Sequence, residues 1–165
     1  MKNKKIIPLI AIIFVLSTIL TACSKPDPIN EDLISYVNVQ MPTVIESQSS
    51  VAKDYESVTG KNFIDDNAFI TKVKDTVIPN STKFIAKAQA IAPKTEEVRK
   101  LHEKYMTSMK TQQEGFVLLL AAAEQGDSTK VPAGNEKLTQ ASKVSEEYKA
   151  DMDTLAKAHG VEFEK

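Results

Sequence analysis

The sequence predicts an all-α fold, an antiparallel up-down-up-down four-helix bundle, and three observations carry that expectation. Tryptophan is absent and only 5 of the 165 residues are glycine, while the helix formers Ala, Lys, Glu, Gln, Met and Leu are plentiful. Apolar residues recur at steps of three and four along four long segments, the spacing of one face of a helix. No stretch alternates apolar and polar residues long enough for a strand, and no Asn-Gly or Asp-Gly pair offers a hairpin turn.

The first helix is expected at about 31–59, on the stripe Leu33, Val37, Met41, Val44, Val51, Tyr55 and Val58, closed by Gly60. The second, about 66–91, starts at the capping run Asp65-Asp66-Asn67 and carries Ile70, Val73, Val77, Phe84, Ala88 and Ile91 before Pro93. The third, about 95–125, presents Val98, Leu101, Tyr105, Met109, Phe116 and Leu119 or Leu120, and stops at Gly126. After the turn-rich "GDSTKVPAG", the fourth runs from about 133 to 159 through Leu138, Ala141, Tyr148, Met152 and Leu155. Short connections cannot carry the chain back along a helix of this length, so neighbours must run in opposite directions. Pro42 and Pro79 fall inside the first and second helices, where each removes a backbone donor and favours a kink.

Ahead of these segments the chain reads "MKNKKIIPLIAIIFVLSTILTAC": a basic start at Lys2, Lys4 and Lys5, then an apolar run from Ile6 to Leu20. As a helix that run spans roughly 22 Å, short of the ~30 Å hydrocarbon core, which favours a cleaved signal over a permanent span. Leu20-Thr21-Ala22-Cys23 resembles the lipobox of bacterial lipoproteins, a large apolar residue, two small ones, then cysteine. The resemblance implies cleavage before Cys23, a diacylglycerol on its sulfur and acylation of the new amine. The helical remainder resembles small helical envelope lipoproteins without matching the motif of any one family.

The expected organisation is therefore a signal peptide at 1–22, the lipidated Cys23 and a short tether at 23–30, and a helical domain at 31–165. Two or three acyl chains make a stable anchor where one is marginal. Cys23 is the only cysteine, so the exported domain is held together by packing without disulfides. The expected location is extracytoplasmic, on the cell membrane; Ser24 lacks the retaining aspartate, which points to the outer membrane in a host with two membranes. All 22 acidic residues and 18 of the 21 basic ones follow the cut, a mature charge of −4 that provides neither a nucleic-acid stripe nor a polybasic lipid-binding segment.

No catalytic constellation is visible. Residues three before His102 and His159 are Arg99 and Ala156, so neither histidine completes the Glu-x-x-His pair of a dimetal bundle, and no metal or cofactor is expected. His159 suits a helix C-terminus, and His102 reads as boundary packing beside Leu101. Glu96-Glu97, Glu146-Glu147 and Asp151 with Asp153 read as solvated faces, since neighbours on a helix diverge. There is no phosphate-binding glycine loop, GxSxG or HExxH.

Two candidate binding features remain. Gln48, Asn80 (beside Ser81), Gln112 and Ser145 each occupy a stripe position near a helix midpoint, so an antiparallel bundle aligns them in one polar layer. That layer is either structural, fixing register, or a pocket for a small polar ligand. The run from Phe116 to Ala123 is apolar all round its helix, with Phe116 and Leu120 expected to meet a partner. The leading expectation is a non-catalytic anchored bundle that binds another envelope protein or an envelope polymer; a small-ligand carrier is the alternative.

Overall fold

A computed structural model describes residues 27–163, helical throughout its regular elements and without a strand among those residues. The expected signal segment, Cys23 and the residues just after it lie outside the described residues. Helix α1 (Pro28–Ser35) begins three residues earlier than the periodicity predicts. Local chemistry explains this: the Asp27 carboxylate accepts from the amides of Ile29 and Asn30 at 2.9 and 3.3 Å, and Pro28 fills a first-turn position where its missing N–H is not needed.

Both expected kinks are π-turns. Tyr36–Gln40 forms one between α1 and α2 (Pro42–Glu56), and Val73–Val77 forms the other between α3 (Asp66–Lys72) and α4 (Ile78–Gln89). In each, the residue immediately before the proline donates five residues back: Met41 N–H to Tyr36 O and Ile78 N–H to Val73 O. A proline cannot donate to the carbonyl four residues back and its ring crowds that carbonyl, so the chain takes in an extra residue and widens the turn.

The widened turn also accounts for the apolar spacing. At 3.6 residues per turn, each four-residue step rotates a side chain by about 40°, so a run of such steps drifts off the core. Yet Leu33, Val37 and Met41 are all buried, as are Phe69, Val73, Val77 and Ser81. The π-turns absorb the drift. One expectation is corrected: Phe69 faces the core at 4 % exposure, and Ile70 is half-buried.

Helices α5 (Glu96–Glu124, 29 residues) and α6 (Val131–Ala158, 28 residues) are straight rods of about 43 Å. They run antiparallel in the closest helix pair of the protein. Lys104 pairs with Glu147 and Asp151, the Ser108 hydroxyl donates to the Ala141 carbonyl at 2.7 Å, and Lys137 pairs with Glu114 at 2.6 Å. The seam is made of small residues. A Cβ on Gly115 would lie 2.7 Å from Leu138 Cδ2 and 3.2 Å from the Gly134 carbonyl oxygen, and one on Gly134 would lie 2.6 Å from Leu119 Cγ.

The kinked helices cover the other side of one continuous core, with α4 packed on both α2 and α5. Leu33, Met41, Phe84, Phe116 and Met152 are among its fully buried side chains, each worth about 1.5–3 kcal/mol on burial. The start of α1 meets the end of α6: Asn30 Nδ2 donates to the His159 carbonyl at 2.7 Å, and His159 Nδ1 lies 2.7 Å from Asp27 Oδ2. Close by in the sequence, Asp32 ties α1 to the start of α5, accepting from Thr95 N and Oγ1 at 2.7 and 2.8 Å. Gly115→Val is expected to lower urea stability by about 1–3 kcal/mol through overpacking of the α5–α6 seam, read as a lower midpoint at an unchanged m-value.

Candidate functional site

Tyr36, one helical turn after Leu33 and at the head of the first π-turn, points into the core at 0 % exposure. There its hydroxyl meets His102 of α5, with Nδ1 at 3.1 Å, while His102 Nε2 lies 3.0 Å from the carbonyl oxygen of Ala88 near the end of α4. A carbonyl only accepts, so Nε2 carries the hydrogen and Nδ1 is left as the acceptor for the Tyr36 hydroxyl. The Tyr148 hydroxyl of α6 donates in turn to the Tyr36 oxygen at 3.4 Å. The result is a directional relay from Tyr148 through Tyr36 and His102 to Ala88, joining α6, the first kinked helix, α5 and α4.

Aromatic packing fixes the relay. The Tyr36 and His102 rings meet edge to face at 5.6 Å, Tyr105 stacks on His102 at 6.2 Å, and Tyr105 and Tyr148 lie 5.5 Å apart. Burial pushes the Tyr36, Tyr105 and Tyr148 phenols above their ordinary range, so all three are neutral donors. Burial also lowers the affinity of His102 for a second proton, opposed in part by its bond to the Ala88 carbonyl and by the charge of Glu103. On its solvent side His102 borders a shallow open groove of about 350 Å³, lined also by Gln89, Ile91, Glu103, Met106 and Lys110.

This cluster is what the sequence reading missed, for His102 is 6 % exposed and bonded through both ring nitrogens, not boundary packing. A signal was present: His102 lies three residues before Tyr105, one turn away on the same face. Tyr105 with Met109 on α5 and Tyr148 with Met152 on α6, each pair four residues apart, are all buried in the core.

The four residues expected in a polar layer are placed as follows. Gln112 and Ser145 are each 8 % exposed, whereas Gln48 and Asn80 are half-buried. Gln48 accepts from the Tyr105 hydroxyl at 2.9 Å, and no hydrogen bond joins any two of the four. Beside Asn80, Ser81 is the buried residue, with an unpartnered hydroxyl. The expected partner surface needs correction too. Phe116 is 0 % exposed and lies against Tyr55, ring centroids 4.7 Å apart, while Leu120 is half-buried on the core. The accessible side chains of that run are Val117 and Leu118, at 47 % and 37 % exposure. The run is apolar all round, but the core takes the Phe116 side.

The described residues hold no cluster of histidine, cysteine or carboxylate side chains able to grip a metal, and none of their helices is long and apolar enough to cross a membrane. Glu147 and Asp151, two of the expected solvated carboxylates, meet Lys104 at the α5–α6 surface.

His102→Ala is expected to lose about 2–4 kcal/mol, because it opens a cavity and strands the Tyr36 hydroxyl and the Ala88 carbonyl; chemical denaturation measures it. Phe116→Ser is expected to cost at least as much, whereas Val117→Ser changes stability by no more than about 0.5 kcal/mol.

Neither functionally described proteins nor solved structures gave a match to this chain. One protein family does match, described as EMYY-motif containing lipoprotein, over residues 3–164. The tetrapeptide Glu-Met-Tyr-Tyr itself does not occur in the sequence. The match takes in both the Leu20–Cys23 segment and the helical domain, nearly the whole chain, and the protein therefore belongs to the EMYY-motif containing lipoprotein family.

Proposed function

We propose that this lipoprotein is anchored through lipid on Cys23, that its rods form an antiparallel up-down-up-down four-helix bundle, and that the bundle works by binding another envelope protein rather than by catalysis. Membrane anchorage follows from family membership. The remainder rests on geometry, and one observation carries it: the exposed apolar residues of α5 lie toward the end of the domain remote from the anchor.

Asp27 and Asn30 at the start of α1 meet His159 at the end of α6, and Asp32 reaches Thr95 at the start of α5. These contacts gather one end of the bundle four residues from Cys23, a reach of at most about 14 Å. The turns at 57–65 and 125–130 then form the opposite end, which faces away from the bilayer. Val117 and Leu118 lie in the last third of α5, nearest that distal end. Two large apolar side chains open to solvent on the distal third of α5 are what a docking face would supply. Their position removes the protein's own membrane as the surface that covers them.

The test is site-specific photo-crosslinking of the full-length, lipid-anchored protein in its own envelope. A crosslinker at position 117 or 118 is expected to give one reproducible adduct, and one at exposed Lys149 of α6 none. Val117→Asp with Leu118→Asp is expected to abolish the 117–118 docking, assayed from a neighbouring site, while Tm stays within about 2 °C. Equal labelling from both helices, or adduct formation that survives the double substitution, would overturn the reading.

A further inference from the structure

We propose that the Tyr148–Tyr36–His102 relay is an acid-sensitive latch on the first π-turn: proton uptake at His102 Nδ1 reverses the relay and loosens residues 36–41 from the core. The directions of the hydrogen bonds carry the inference. With Nε2–H committed to Ala88 O, the only site for an added proton is the Nδ1 lone pair, which the Tyr36 hydroxyl occupies at 3.1 Å. Once Nδ1 is protonated, Tyr36 must become its acceptor and turn its own hydrogen toward the Tyr148 oxygen. The Tyr148 hydroxyl then loses Tyr36, its one acceptor. One proton thus strands a buried hydroxyl two residues away in the relay, a penalty the neutral form does not bear.

The surroundings of the ring leave the imidazolium poorly compensated. The first kinked helix presents Tyr36, α4 the Ala88 carbonyl and Gln89, and α6 Tyr148, none of them charged. On α5 itself Tyr105 stacks on the ring, while exposed Glu103 and Lys110 border the groove with opposite signs. No carboxylate bonds to His102 among the described residues. The groove brings water to the ring edge, so the proton has a route in, and the charged ring has somewhere to move once the relay lets go.

The sign follows from burial. His102 has a depressed proton affinity in the folded state, while an unfolded histidine titrates near about 6.5. Below that pH the unfolded chain takes up a proton the folded chain resists, so stability is fully present above about pH 6.5 and is lost as pH falls toward the folded-state value. The Asp27 carboxyl acts in a separate window. Bonding to His159 lowers the Asp27 carboxyl, whose contribution is present above about pH 3.9 and is lost only below it.

The protein contains its own control. The second π-turn, Val73–Val77, has the same five-back hydrogen bond beside a proline but no histidine bonded to it. Hydrogen exchange of the full chain at about pH 7.5 and pH 5.0, corrected for intrinsic rates, compares the two turns in one sample. Amides 37–41 are expected to lose protection by about tenfold at the lower pH, while amides 74–78 hold theirs. His102→Gln, whose amide supplies both a donor and an acceptor without titrating, is expected to remove the difference. Equal loss at both turns, no loss at either, or an acid response that persists in His102→Gln would overturn the latch. The comparison of the two turns in the native chain decides the matter even if the variant does not fold.

Discussion

A proline has no amide hydrogen to give, and much of this fold's shape follows from that fact acting twice. At Pro42 and Pro79 the α-helical ladder cannot continue, and the preceding turn opens to a five-residue hydrogen bond. A wider turn lets side chains at successive four-residue steps keep facing one way. Tyr36 follows Leu33 by one ordinary helical turn and enters the core at the head of the first widened turn, where His102 and Tyr148 meet its hydroxyl and Ala88 holds the far edge of the His102 ring.

The two halves of the domain reach stability by different means. α5 and α6 are unbroken and lie close together, because Gly115, Gly134, Ala141 and Ser108 let the backbones approach. The kinked helices bring larger side chains, and their irregular shape is fixed by the polar relay and by aromatic contacts such as Tyr55 on Phe116. With one cysteine in the sequence, the domain can form no internal disulfide to constrain its unfolded chain. Packing and a few buried hydrogen bonds do that work, so a single titrating ring among them has leverage over local order.

The anchor and the fold are joined in one place. Asp27 caps the first helix, meets His159 at the end of the last helix, and lies four residues from the lipidation site expected from the sequence. Under the proposed anchorage, a bundle tied at that end would present its far end outward, with Val117 and Leu118 toward a partner and away from the bilayer.

The four helical segments were legible in the sequence because apolar periodicity and capping residues are local: Asp65, Gly60, Gly126 and Gly160 mark ends by their own conformational chemistry. The lipoprotein class was legible for the same reason, since the Leu20–Cys23 motif is local and the family match agrees with it. Pro42 and Pro79 announced kinks but not π-turns, since the choice between a bend and a widened turn depends on which side chains the core receives. Gln48, Asn80, Gln112 and Ser145 each lie near a helix midpoint, but the packing staggers the helices: Gln48 bonds Tyr105, two turns before Gln112, and the Ser108–Ala141 and Lys137–Glu114 pairings set Ser145 and Gln112 at different levels of the α5–α6 seam. Periodicity also fixes rotation about a helix axis only to within about a residue, which placed Phe116 at a surface when the core holds it and Val117 and Leu118 are outside. His102 shows the limit most clearly. Its donor and acceptor are supplied by residues 66 positions before it and 14 positions before it, and only the folded chain brings them to opposite edges of one ring.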